Sequence, residues 1–139
     1  MNVVLDSNIL FSALISGKEA YLEILRAVNA YAPDFIFQEI AKYEERIISK
    51  TKSKTAFKLF VRDVFSEITV IPKLGITATS FGQAFLLCQD VDPKDTPYIA
   101  LSIELGFPLW TNDKKLITGL FEKGYHQIIT TDKIFELIR

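Results

Sequence analysis

Residues 90–120, DVDPKDTPYIALSIELGFPLWTNDKKLITGL, read as helix, stop, strand, acid and helix in turn. Ile99, Ala100 and Ile103 give the first helix an apolar face, and Ala100 and Ser102 are small enough for close packing on a sheet. Gly106 suits the left-handed position that ends a helix. Pro108 then precedes a short strand over 109–111 that runs straight into Asn112 and Asp113, and residues 114–121 return to a helical rhythm. A carboxylate thus stands at the end of a strand, between two helices.

The N-terminus has the same order. In NVVLDSNILFSAL, residues 2–14, the run Val3, Val4, Leu5 is what a strand buried on both faces of a parallel sheet requires, and Asp6 follows it directly. Asn8 fits an N-cap for a helix through Ile9, Leu10, Ala13 and Leu14. A second helix is expected over 19–28. YAPDF, residues 31–35, reads as an interruption, after which Asp34 caps a third helix through Ile36, Ile40, Tyr43, Ile47 and Ile48 that bears Glu39. A basic loop leads into a fourth helix carrying Phe57, Phe60, Val61, Val64 and Phe65. EITVIP contains a strand over 68–71 ended by Pro72, a helix spans 77–89, QIITT is a last strand and residues 132–138 a terminal helix. This alternation predicts an α/β fold, a three-layer doubly wound parallel sheet flanked by helices. The phenylalanines are expected mostly in the core, and Cys88 as a small buried apolar residue.

The length of 139 residues suits one domain over 1–139, with 49% hydrophobic and 24% charged residues typical of a globular chain. No apolar run is long enough to cross a bilayer and Asp6 interrupts any signal peptide, so a cytoplasmic protein is expected. A single cysteine precludes an internal disulfide. With 16 basic against 17 acidic residues, any nucleic-acid surface must be local.

Asp6 and Asp113 follow strands of one parallel sheet and so emerge on one side of it, where ligands of open α/β sheets bind. Glu39, Asp92 and Asp95 lie where a helix start can bring them into the same crevice. Two carboxylates about 5 Å apart repel by roughly 3 kcal/mol at an effective dielectric of about 20, so such a cluster calls for a cation. An all-oxygen donor set suits Mg²⁺ or Mn²⁺. One Cys and one His argue against zinc and Cys-His catalysis, and a Ser-His-Asp triad would have only His126 to use. A phosphatase with an Asp nucleophile needs a second acid two residues later, where this chain has Asn8, and a phospho-acceptor domain needs a mid-chain strand-end Asp that is not found. Simpler roles stand beside these. Asp92 before Pro93 fits a helix cap with Asp95 in the first turn, and Glu39 can pair with Lys42 or Tyr43. Lys50, Lys52, Lys54, Lys58 and Arg62 suit either RNA phosphates or a solvated face.

VVLDSNIL, the Glu39 of PDFIFQEI, DPKDTPYIALSIELGFPLWTND and IITTDKIFELI, in this order, resemble the PIN-domain family of nucleases, although the stretch 50–89 matches nothing specific. The resemblance implies a Mg²⁺- or Mn²⁺-dependent ribonuclease, most often the VapC-like toxin of a toxin-antitoxin pair, with RNA as substrate and a small antitoxin protein as partner. A homodimer is compatible with it. By the same resemblance Asp6, Glu39, Asp95 and Asp113 are catalytic, with Asp6, Asp95 and Asp113 on the metal, and Ser7, Asn8, Thr111 and Asn112 are supporting polar positions. The alternative is an inactive PIN-like module that binds RNA or protein without cutting.

Overall fold

The computed structural model describes residues 1–51 and 53–139, so the expected phosphate contact Lys52 lies outside the described residues. The chain runs β1 (Asn2–Leu5), α1 (Ser7–Ser16), α2 (Glu19–Ala27), β2 (Asn29–Pro33), α3 (Phe35–Ser49), α4 (Lys54–Ser66), β3 (Ile68–Ile71), α5 (Ala78–Cys88), α6 (Thr96–Leu105), β4 (Leu109–Trp110), α7 (Lys114–Glu122), β5 (Ile128–Ile129) and α8 (Thr131–Ile138). Short 3₁₀ turns at Lys73–Gly75 and Pro93–Asp95 lead into α5 and α6.

All five strands are parallel, in the order β3-β2-β1-β4-β5. β1 is central, and Val3, Val4 and Leu5 are almost wholly buried, as a strand covered on both faces must be. From β1 the chain winds outward through β2 and β3, then crosses back to β4 and β5 on the other side. Right-handed crossovers therefore put α1 to α4 on one face and α5 to α7 on the other, while α8, after the last strand, returns to the first face beside α2. The contacts agree: α6 lies on β1 and β2 with α5 against it, while α1 packs with α3 and α4, and α2 with α4 and α8. The winding reverses between β1 and β4, the position beyond whose carboxyl ends open α/β sheets bind their ligands.

Several local expectations are corrected. YAPDF does not merely interrupt the helices, because β2 occupies Asn29–Pro33 and pairs on both sides. Its sequence, NAYAP, has little β-branched character, and its identity comes from lying between two strong strands. Pro33 is tolerated because it is the last residue of β2, past the β1 register that ends at Val4 with Tyr31. Asn8 is not the N-cap of α1; that position is Asp6, whose side chain makes no capping bond. Asp34 precedes α3 without capping it and instead accepts from the Lys73 amide at 3.1 Å, tying α3 to the segment after β3. The last strand is only Ile128–Ile129, and Thr130 caps α8.

The inner core is aliphatic rather than phenylalanine-filled. Val, Leu and Ile side chains with Tyr98, Trp110 and Cys88 make up its buried interior, while Phe37, Phe85 and Phe121 are exposed and the other eight phenylalanines lie at the margins. Ala30, Ala32, Ala84 and Ala100 bring backbones close together, leaving room in the inner layer for aliphatic side chains and placing rings between helices at the periphery. Gly106, at φ 70°, ends α6 as expected.

Candidate active site

β1 and β4 are neighbours, so the residues that leave them meet. Asp6 follows β1 directly, its amide donating to the Trp110 carbonyl at 3.1 Å, and it is 1% exposed. Its Oδ2 accepts from Thr111 Oγ1 at 2.8 Å, and the same hydroxyl oxygen accepts from the Asp113 amide at 3.1 Å. One fully buried hydroxyl thus links the two strand-end acids. Asp6 Oδ1 is also buried and has no hydrogen-bond partner. Burial, with the Asp113 charge adding to it against the Thr111 hydrogen bond, pushes the Asp6 carboxyl up from 3.8 to about 6.

Asp95 ends the turn that opens α6 and is 8% exposed. Burial, then the charges of Asp6, Asp92, Asp113 and Glu39, push its carboxyl up from 3.8 to about 8. β1, β4, α3 and the start of α6 thus bring these acids within electrostatic reach of Asp95. Ser7, Asn8, Glu39, Asp92 and Asp95 line a cavity of about 350 Å³, with Asp6 and Asp113 not on its wall.

Not every expected residue plays the part first given to it. Asp92 does cap, accepting from the Lys94 amide at 3.1 Å. Asp113 also caps, its Oδ1 accepting from the Lys115 and Leu116 amides at 3.1 Å, so it starts α7 as well as facing the acids. Asn112 turns away: its Nδ2 donates to Thr131 Oγ1 at 2.8 Å and its Oδ1 accepts from the Thr131 amide at 2.9 Å, latching the end of β4 to α8. Glu39 pairs with neither Lys42 nor Tyr43 but accepts from the Tyr98 hydroxyl. Lys54, Lys58 and Arg62 share an exposed face of α4, outside the lining of the acid cavity, which Lys50 alone of the described residues of the basic run reaches.

Tyr98 was not foreseen. It is fully buried on α6, lies against Ser7 and holds Glu39, and burial with the Glu39 contact raises its phenol well above its ordinary range. Its spacing of three from Asp95 on a helix was the available signal. Arg46 and Lys94, which also line the cavity, were likewise unforeseen.

The donor chemistry fits a hard divalent cation. Asp6 Oδ1 is a buried carboxylate oxygen left without a partner, and acids that raise one another's proton affinity gain most from a shared positive charge. Among the described residues the His, Cys, Asp and Glu side chains do not stand as a ready-made cage of three or more, and Asp113 Oδ1 is already committed to its helix. Closing such a cage therefore takes side-chain adjustment around Asp6.

A model of the PIN domain matches residues 4–134. The chain belongs to the PIN-domain family. PIN domains are in general nucleases that act on nucleic acid and typically use divalent metals. The match spans β1 to α8 and takes in the acids of the PIN-domain crevice as well as the stretch 50–89, which carried no recognisable motif. Among curated proteins no match is found. Among the described residues of this PIN domain no helix is long and apolar enough to cross a membrane.

Proposed function

We propose that this PIN domain, as a single unit over 1–139, is a metal-dependent ribonuclease that hydrolyses phosphodiester bonds of single-stranded or looped RNA, as the toxin of a toxin-antitoxin pair. The observation that supports it best is the unpartnered, buried Oδ1 of Asp6, which follows β1 at the winding reversal of the sheet.

In this reading Asp6, Asp95 and Asp113 hold Mg²⁺ or Mn²⁺. When bound, such an ion supplies activation of a water and neutralisation of charge developing on the phosphate. The chain's own part is to keep the acids in place. Thr111 fixes one oxygen of Asp6 and leaves the other free, the α7 cap orients Asp113, and Tyr98 holds Glu39 toward the crevice, where it can take or direct a water proton. Asp95, with its proton affinity raised to about 8, is protonated at neutral pH until a positive charge replaces the proton. Ser7 backs Tyr98, and Asn8 lines the mouth.

Incubation of the purified protein with single-stranded RNA in Mg²⁺ or Mn²⁺, and again in chelator, tests the activity. Cleavage confined to the metal samples and lost in Asp6→Asn is expected; equal cleavage in chelator removes the mechanism. The toxin role predicts growth arrest on expression alone and relief by a small protein encoded beside it, whose basic side chain would occupy the acids. Normal growth at full expression of an RNA-cleaving protein refutes that role.

A further inference from the structure

The cavity beside the acids is bipolar. Its lining holds the acids Glu39, Asp92 and Asp95, the cations Arg46, Lys50 and Lys94, and the rings of Phe11 and Tyr43, and along α3 the order Glu39, Tyr43, Arg46, Lys50 runs from acid to base. Along α3, Glu39, Tyr43, Arg46 and Lys50 recur at intervals of four, three and four, so they share one face. From Glu39 to Lys50 this stripe runs about 16 Å at the helical rise. Phe11 and Tyr43 meet edge to face at 5.6 Å, and Lys42 lies 5.5 Å from the Tyr43 ring centre. Among the described residues none of Arg46, Lys50 and Lys94 forms an ion pair, although acids line the same cavity.

We propose that this basic and aromatic end of the cavity is a binding subsite for a segment of single-stranded nucleic acid flanking the bond at the acid cluster. It rests on the nuclease reading for what happens next door, but its binding chemistry is its own. An acid cluster repels a phosphodiester, so a strand needs an anchor beyond it, and binding energy from a remote part of a substrate can meet that cost. Arg46 and Lys50 supply the anchor for phosphates, and the Phe11–Tyr43 wall supplies apolar contact for a base. A duplex does not qualify, because its bases are stacked away from the wall and Asp6 lies recessed at 1% exposure. Arg46, Lys50 and the wall thereby grip the strand beside the acids rather than on them.

Binding of a labelled single-stranded 12-mer, as RNA and as DNA, is measured by fluorescence anisotropy in chelator, where no cleavage intervenes, over a range of salt. The double substitution Arg46→Gln, Lys50→Gln is expected to weaken binding about tenfold or more and to reduce the slope of log affinity against log salt by about 1.4, at roughly 0.7 per phosphate contact. Tyr43→Leu is expected to weaken binding about fivefold or more without changing the slope, and Tyr43→Phe to preserve it. The RNA and DNA arms identify the sugar the subsite accepts. Unchanged affinity and slope in both arms, duplex bound as tightly as single strand, or an acidic peptide competing as well as the oligonucleotide overturns the proposal. In Mg²⁺ the two readings separate. Intact binding without cleavage defeats the nuclease reading alone, whereas cleavage with KM unmoved by the double substitution defeats the subsite alone.

Discussion

Asp95→Asn should stabilise the metal-free protein, and only above mildly acidic pH. The folded carboxyl binds its proton more tightly than the unfolded one, about 8 against 3.8, so its contribution is fully present near pH 4 and is lost as pH rises through 8. At about 1.4 kcal/mol per pH unit the bound on this loss is about 6 kcal/mol. The repulsion is shared with Asp6, and a relaxing, partly wet crevice screens it, which brings the expected gain to about 2 kcal/mol at pH 9. For a chain of this size that is a rise in Tm of about 6–8 °C. Asn is isosteric, and the Asp95 side chain makes no helix-capping bond that it would lose. Asp6, raised to about 6, bends both stability curves the same way between pH 4 and 6, so the gap that opens between the two proteins above pH 6 belongs to Asp95. Thermal melts in chelator at pH 5, 7 and 9 measure it. Addition of Mg²⁺ should then close or reverse the gap, since a ligand of the folded state stabilises in proportion to its occupancy. A variant that melts no higher than wild type at pH 9, or by the same margin at pH 5, refutes the argument that Asp95 is held against its neighbours' charge.

Thr111→Val should lower stability by about 1–3 kcal/mol in urea unfolding, because it strips Asp6 of its one side-chain donor, while Thr111→Ser should keep most of the loss away. Asp113→Ala should cost about 0.5–2 kcal/mol through the lost α7 cap, whereas Asp113→Asn keeps a capping oxygen and melts near wild type, yet both should lose RNA cleavage. Binding of Mn²⁺ at pH 7 should release about one proton, chiefly from Asp95, read by calorimetry in buffers of different ionisation enthalpy; release near zero at pH 7 would contradict a protonated Asp95.

The parts of the site that local sequence could show were those carried by chain direction. Asp6 after Val3, Val4 and Leu5, and Asp113 after the β4 residues, were placed by the rule that parallel strands share an exit side, and Gly106 by its backbone freedom. What stayed hidden depends on partners distant in sequence. Tyr98 meets Glu39 across 59 residues, so its three-residue spacing from Asp95 could set it beside that acid but not against Glu39. β2 owes its conformation to β1 and β3 rather than to NAYAP itself, and tertiary pairing overrides weak strand propensity. Arg46 and Lys94 read as ordinary charged helix and turn residues until folding sets them around one cavity with the acids.

The Thr111 to Asp6 hydrogen bond spans 105 residues, with consequences for a ribosome making this chain. Asp6 leaves the ribosome about 5–20 s before the hydroxyl that orients it and the acid beyond, at ordinary elongation rates. Through that interval β1, destined for the middle of the sheet, has no β4 to pair with. A nascent chain from which Thr111 and Asp113 have not yet emerged therefore carries half a crevice and cannot assemble the acids.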